Sequence, residues 1–322
     1  MSFVRTVNGD IAPEEMGVTY SHEHIIIDQS FPTIANPDFL IDDVGKVAEE
    51  LSEVYRKGGR TMVDTMPSDS GRNVIKLAEV SKRSGIHIVA PTGIHLEIYY
   101  PASHWRYTYS AEEMASLFVA DVMEGIDRYD YSGPLVKRTA HKAGMIKLAT
   151  GDDRISDHQR KIFEAVAIAQ RETGAPVLTH SNAGQLAIEQ AALFDRFGVD
   201  LGHVVISHVD RRKDISYHRD LLQTGVFVEY DSAFRWKAGE ENWTFKLLEN
   251  LLPDFPDQIT VGMDAARSSY WRAYGGKPGL DYLVTTFRKE LADRGLGSFW
   301  ENLVISNPAS LYRFSRVGAG KE

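Results

Sequence analysis

Short apolar, β-rich runs and stretches of helical period take turns along this chain. The runs fall at 18–27, 61–65, 87–92, 144–149, 176–180, 204–208, 226–230 and 259–263, and helical spacing occupies 44–57, 74–84, 111–129, 157–173 and 185–197 between them. Alternation of this kind implies parallel strands joined by crossover helices. The count of eight favours closure into an α/β (β/α)8 TIM barrel over an open doubly wound sheet. No GxGxxG or GxxxxGK[ST] follows the first run, which argues against a dinucleotide or P-loop fold. The barrel typically takes ~250 residues and often carries insertions, so the 322 residues here suit one domain over 1–322.

In such a barrel the active site lies at the C-terminal ends of the strands. His22 and His24, in SHEHIII, are two apart on the first strand, and residues so spaced point to the same side, making a chelating pair. His180 in VLTHS and His208 in VISHV each close an apolar run. Singly, either could be a satisfied core histidine; together, at equivalent ends and beside an HxH, they read as ligands. Asp264 closes ITVGMD, where an uncompensated carboxylate is expensive; a helix N-cap is its other use. Lys147 lies in the apolar AGMIKLAT, and a lysine is almost never fully buried without a partner. Carbamylation by carbon dioxide, which turns the amine into a metal-bridging carboxylate, is one solution, and a snorkelling lysine is the other. Four histidines, an aspartate and a modifiable lysine supply donors for two divalent ions, zinc first, with manganese or cobalt also accommodated.

Composition narrows the chemistry. With no cysteine there is no disulfide framework, thiolate site or cysteine nucleophile, so any metal is held by nitrogen and oxygen. Lys and Arg number 36 against 45 Asp and Glu, a net charge of −9, and no basic run stands out, so neither nucleic acid nor an anionic membrane is expected as a partner. No stretch approaches the ~20 apolar residues that span a bilayer, and the opening residues lack a signal peptide's apolar core. The expectation is a cytoplasmic protein acting on a small molecule. The loops at 99–109 (YYPASHWRYTY), 231–243 (DSAFRWKAGEENW) and 267–279 (RSSYWRAYGGKPG) follow the third, seventh and eighth runs and are candidates to shape its pocket.

This pattern resembles the phosphotriesterase-like family of the amidohydrolase superfamily: SHEH at strand one, IK at strand four, TH and SH at strands five and six, Asp at strand eight. The opening TVNGDIAPEEMGVTYSHEH is similar to that family's N-terminal hairpin and first strand, and SNPASLYRF to its closing Asn-Pro helix. The resemblance implies that His22, His24 and Asp264 bind the more buried metal and that His180 and His208 bind the more exposed one. It further implies that carboxylated Lys147 and a hydroxide bridge the two, that Asp264 accepts the proton as hydroxide attacks, and that the protein forms a homodimer. The absence of a GxSxG elbow agrees with chemistry that needs no covalent intermediate.

The segment MDAARSSYWRAYGG is similar to the phosphorylated sugar-lactone hydrolases of that family, in which Arg and Tyr of D-x-x-R-x-x-Y, with a Lys after strand seven, hold the substrate phosphate. Arg267, Tyr270 and Lys237 are the implied counterparts, with Arg235 and Arg272 as rivals. His95, in TGIHLE, stands where many lactonase relatives carry a Tyr that leans over the metals, and it too can donate a hydrogen bond to substrate. The expected activity is hydrolysis of a lactone or carboxylate ester bearing an anionic group, such as a sugar lactone phosphate. The alternative is an organophosphate triesterase or neutral-ester hydrolase, with the aromatic loop 99–109 and Trp236 lining an apolar pocket. A metal-free binding protein on the same barrel is the third reading.

Overall fold

The structure, a computed structural model, describes residues 2–151, 153–237 and 239–314. It opens with a short antiparallel hairpin, β1 (Val4–Thr6) and β2 (Gly9–Ile11). The parallel strands that follow are β3 (Val18–Glu23), β4 (Gly59–Asp64), β5 (His87–Val89), β6 (Pro91–Gly93), β7 (Met145–Ala149), β8 (Val177–His180), β9 (Val204–Ser207), β10 (Phe227–Tyr230) and β11 (Ile259–Val261). β5 and β6 are two halves of the expected third strand: the first pairs with β4, the second with β7, and the chain changes partner at Ala90. Counting them as one gives eight. β11 closes on β3 through the Asp264 amide, which donates to the His22 carbonyl at 2.9 Å. The backbones approach so closely there that a Cβ on Gly262 would sit 2.7 Å from the His22 nitrogen. Glu23, the residue between the two histidines of SHEH, accepts from the Met263 and Ala265 amides at 2.8 and 3.2 Å and stitches the same seam.

The helices are α1 (Phe31–Ala35), α2 (Val44–Arg56), α3 (Val74–Ser84), α4 (Ala111–Met123), α5 (Asp157–Thr173), α6 (Ala187–Arg196), α7 (Ile215–Gln223), α8 (Trp243–Leu251), α9 (Arg288–Asp293) and α10 (Asn307–Tyr312). Their starts follow from capping: Asp43, Asn73, Ser110, Ser156 and Asp214 each accept from an amide of the first turn. The helix expected over 111–129 ends at Met123 instead. Ile126 and Arg128 leave it to hydrogen-bond along 137–141, where the Ile126 amide donates to the His141 carbonyl at 2.8 Å and the Arg128 amide to the Lys137 carbonyl at 2.8 Å. Among the described residues no helix is long and apolar enough to cross a membrane.

The buried side chains form two bodies. The larger fills the layer between strands and helices. The smaller joins Val63, Val89, Met145, Leu178, Val205 and Phe227 to Val4 and Met16 of the N-terminal segment and to Leu311 and Tyr312 of α10. One residue from each of six strands, meeting both chain ends, is an apolar plug in the lower half of the barrel lumen. Because side chains alternate along a strand, the residue two further on each strand faces the same lumen one layer higher. Met145 is thus followed by Lys147, Leu178 by His180, and Phe227 by Glu229 and Asp231. The polar upper layer rests on an apolar floor.

Candidate active site

The upper layer gathers the expected ligands. His22 and His208 lie with ring centroids 4.7 Å apart, His22 and His24 at 5.6 Å, and His180 and His208 at 4.5 Å. Lys147 is fully buried, its Nζ 3.4 Å from His22 Nε2. Asp264 places Oδ1 at 3.2 Å from His24 Nε2 and 3.7 Å from His22 Nε2. Burial drives the His22 and His180 imidazoles well below their usual range, with the Lys147 charge adding to the effect, so both are neutral lone-pair donors. Burial also brings the Lys147 ammonium down to about 8. For Asp264, burial works upward, but Arg235, His208, His24 and His22 outweigh it and hold the carboxyl well below the carboxylate range.

Strain marks the same place. His208 and Asp264 have φ of 64° and 47°, in the left-handed region that non-glycine residues rarely adopt. Both are over-determined. Asp231 Oδ2 takes the His208 amide at 3.1 Å and its Nδ1 at 2.7 Å. Asp264 is held by its amide bond to His22 and by Arg235, which donates to its carbonyl and lies 3.0 Å from its Oδ2.

Glu229 and Asp231 were not singled out from sequence, though an acidic residue at alternate positions of the apolar VFVEYD is a readable signal. Glu229 Oε1 lies 2.9 Å from His22 Nδ1 but off the line of a hydrogen bond. Asp231 fixes His208 with Nε2 free. Carboxylates behind imidazoles of this kind set ring orientation and basicity at metal sites. The donors fit a metal by three tests. His22, His24 and Asp264 offer atoms mutually within 4.8 Å, as do His22, His208 and Asp231. The buried His24 Nδ1 and His180 Nε2 have no hydrogen-bond partner. The set, imidazole and carboxylate without sulfur, suits borderline divalent cations.

Above the layer opens a cavity of about 440 Å³. His95, Phe39, Tyr99 and Tyr270 line it together with three guanidinium groups, Arg211, Arg235 and Arg267. Arg211 Nη2 and Arg235 Nη2 lie 3.1 and 3.0 Å from Asp264 Oδ2. Arg267 lies over the Phe39 ring at 5.0 Å and reaches Asp38 at 3.4 Å. Of the anion-binding residues read from sequence, Arg267 and Tyr270 face this cavity. Lys237 is exposed and is not among the lining residues, whereas Arg235, two positions earlier and mostly buried, is. Arg272 turns to the outside of the barrel and pairs with Asp281 at 2.7 Å.

An α/β barrel that holds histidines, a lysine and an aspartate at the mouth of its lumen belongs to the architecture of barrel hydrolases. The model of the phosphotriesterase family matches residues 2–312. A phospho-furanose lactonase of Mycoplasmopsis agalactiae is 33% identical, over 97% of this chain and 92% of that protein. Among solved structures, a lactonase from Listeria monocytogenes superposes with a TM-score of 0.89 at 30% identity, over 98% of this chain and 100% of that one. A phosphotriesterase homology protein from Escherichia coli, complexed with phosphate in its active site, superposes at 0.83 with 28% identity, over 92% and 99%. The chain belongs to the phosphotriesterase family.

Proposed function

We propose that this chain is a metal-dependent lactonase whose substrate carries an anionic group, a sugar lactone phosphate being the model compound. The observation that carries the reading is the composition of one cavity: Arg211, Arg235, Arg267 and Tyr270 line it with five of the six residues read as metal ligands, His22, His24, His180, His208 and Asp264, among its walls. Three guanidinium groups at one mouth favour an anion, since their planar donor forks match phosphate or carboxylate. The names of the lactonase relatives support the same choice.

His22, His24 and Asp264 would hold one divalent ion, His180 and His208 the other, with Lys147 between them. Lys147 brought down to about 8 keeps part of its amine neutral near pH 7, the form that adds carbon dioxide. When bound, the ions supply Lewis acidity toward the ester carbonyl and lower the pKa of a shared water. This chain's own residues orient and exclude. Asp231 holds the imidazole of His208, and the Glu229 carboxylate lies behind that of His22. Asp264, lying between His24 and the two arginines, is placed to accept the proton of the attacking water. Phe39, Met66, Leu96 and Tyr99 form the apolar wall for the lactone body. A homodimer and a cytoplasmic location remain part of the proposal.

The test is a hydrolysis panel of matched phosphorylated and unphosphorylated sugar lactones, simple esters and paraoxon, with enzyme loaded with Zn²⁺ or Mn²⁺ in bicarbonate. Phosphorylated lactones are expected to lead. Arg267→Ala is expected to lower their kcat/KM about 10- to 100-fold, the value of one charge-assisted hydrogen bond, and to spare the neutral analogues. Turnover of paraoxon above every lactone overturns the assignment.

A further inference from the structure

Arg106 is 1% exposed and forms no ion pair among the described residues. A buried charge without a counter-charge is costly, so its remaining contacts carry the explanation. Its Nη1 donates to the His95 carbonyl at 2.9 Å, its Nε to His158 Nε2 at 3.1 Å, and its guanidinium lies over the rings of Tyr100 and Tyr107 at 5.0 and 5.3 Å. Tyr100 completes the grip: its hydroxyl accepts from the His95 amide at 2.9 Å and donates to the Ser68 carbonyl at 3.0 Å. Both main-chain polar groups of His95 are therefore tied to the Arg106–Tyr100 pair, which is built from the loop at 99–109.

The side chain is constrained as well. His95 Nδ1 accepts from the Leu96 amide at 2.7 Å, so it carries no proton, and the neutral ring bears its hydrogen on Nε2. That ring lines the cavity, 5.3 Å from the His180 ring and edge-on to Tyr99 at 4.5 Å. No hydrogen bond of Nε2 within the chain occurs among the described residues.

We infer that His95 presents Nε2–H to the substrate's carbonyl oxygen, and that Arg106 is the positioning residue that fixes this donor. This rests on the lactonase reading above. As water adds to the ester carbon, the carbonyl π electrons move to oxygen and the His95 donor stabilises the charge that develops there. No proton leaves His95; as the carbonyl re-forms the ring C–O bond breaks, and the departing ring oxygen takes up the proton that Asp264 accepted from the water, giving the hydroxy acid. Donors aimed at such an oxyanion typically contribute ~10²- to 10³-fold in kcat. Arg106 acts one step back, by holding the peptide that carries the ring.

The experiment uses metal-loaded enzyme and whichever lactone or ester the panel shows to be turned over. His95→Ala is expected to lower kcat ~100-fold. Arg106→Met is expected to lower kcat ~10-fold with KM within about twofold, and Arg106→Lys, which keeps a donor for the His95 carbonyl, to recover most of it. In the double variant His95→Ala with Arg106→Met, the second change should cost nothing further, because Arg106 acts through His95. Imidazole ¹⁵N spectra give a readout independent of substrate: His95 should show the Nε2–H tautomer in the wild type and in Arg106→Lys, and a mixture of tautomers in Arg106→Met. Additive losses in kcat, or a His95 tautomer unchanged by Arg106→Met, overturn the inference. If no lactone or ester reacts, the functional reading fails, while the tautomer result still decides whether Arg106 fixes His95.

Discussion

Asp38, at the edge of the cavity, competes with a substrate anion for Arg267. It lies on the loop after β3, and its carboxylate accepts from Ser268 Oγ at 2.9 Å, the Ser269 amide at 2.9 Å, Ser269 Oγ at 2.8 Å and Arg267 Nη1 at 3.4 Å. One guanidinium, two hydroxyls and an amide form a cradle suited to a phosphate, and the chain fills it with its own anion. Asp38→Asn keeps an acceptor oxygen for the Ser268 and Ser269 donors while removing the charge. The side chains of Arg267 and Asp38 are 41% and 31% exposed, so the pair itself is worth only about 0–1 kcal/mol. Returned to an incoming phosphate, that amounts to a KM lower by up to ~5-fold for a phosphorylated lactone. Fitted initial rates on a phosphorylated lactone and its neutral analogue, with inorganic phosphate as competitive inhibitor, measure it at low ionic strength. Both the KM and the phosphate inhibition constant should fall, the neutral analogue should not respond, and 1 M salt should erase the difference by shortening the Debye length to ~3 Å. A KM for the phosphorylated lactone that rises, or moves equally with the neutral one, refutes the competition.

Other expectations follow from the same geometry. Removal of metal by a chelator should abolish hydrolysis and lower Tm, with both recovered on adding Zn²⁺ or Mn²⁺ and with Tm rising with metal concentration by mass action, as differential scanning fluorimetry would show. Gly93→Ala should destabilise by about 3 kcal/mol or more in urea unfolding, because Gly93 has φ of +104° and a Cβ there would lie 1.9 Å from the Lys147 carbonyl oxygen. The same change should weaken metal retention by displacing β7. His218 is buried and neutral, its Nε2 donating to the Arg212 carbonyl at 3.0 Å and its Nδ1 accepting from the Tyr230 hydroxyl at 2.9 Å. Burial lowers it to about 4, so below the unfolded value of 6.5 the unfolded chain takes up a proton that the native state refuses. Stability is lost as pH falls from 6.5 toward 4, by about 2 kcal/mol between pH 6.5 and 5. His218→Gln should lose that portion of the slope, and equal slopes in the two proteins would count against it.

The legible part of this molecule is the part set by period and position. Lys147 and His180 could be placed because the two-residue alternation of a strand leaves a donor one layer above an apolar plug, and His22 and His24 because their spacing of two sets a pair of imidazoles at the end of one strand; both signals are written locally in the sequence. What lay beyond local pattern was pairing across elements. Glu229 and Asp231 gain their meaning from histidines on β3 and at the end of β9, and Glu23 from amides on the far side of the barrel seam. The split of the third strand was hidden for the same reason, since partner exchange at Ala90 is a property of three strands together. Loop register was the weakest inference. Lys237 and Arg235 differ by two positions, yet only Arg235 turns inward, where Asp264 provides a buried carboxylate for it. A buried guanidinium needs such a partner, while an exposed lysine needs none, so the ion pair selects the residue that enters the cavity. Arg106 is the counter-case: it is buried behind His95 with no carboxylate to receive it among the described residues, and gives its donors to the backbone of His95 and to His158. That exception to the pairing rule is what singles it out as the candidate positioning residue for His95.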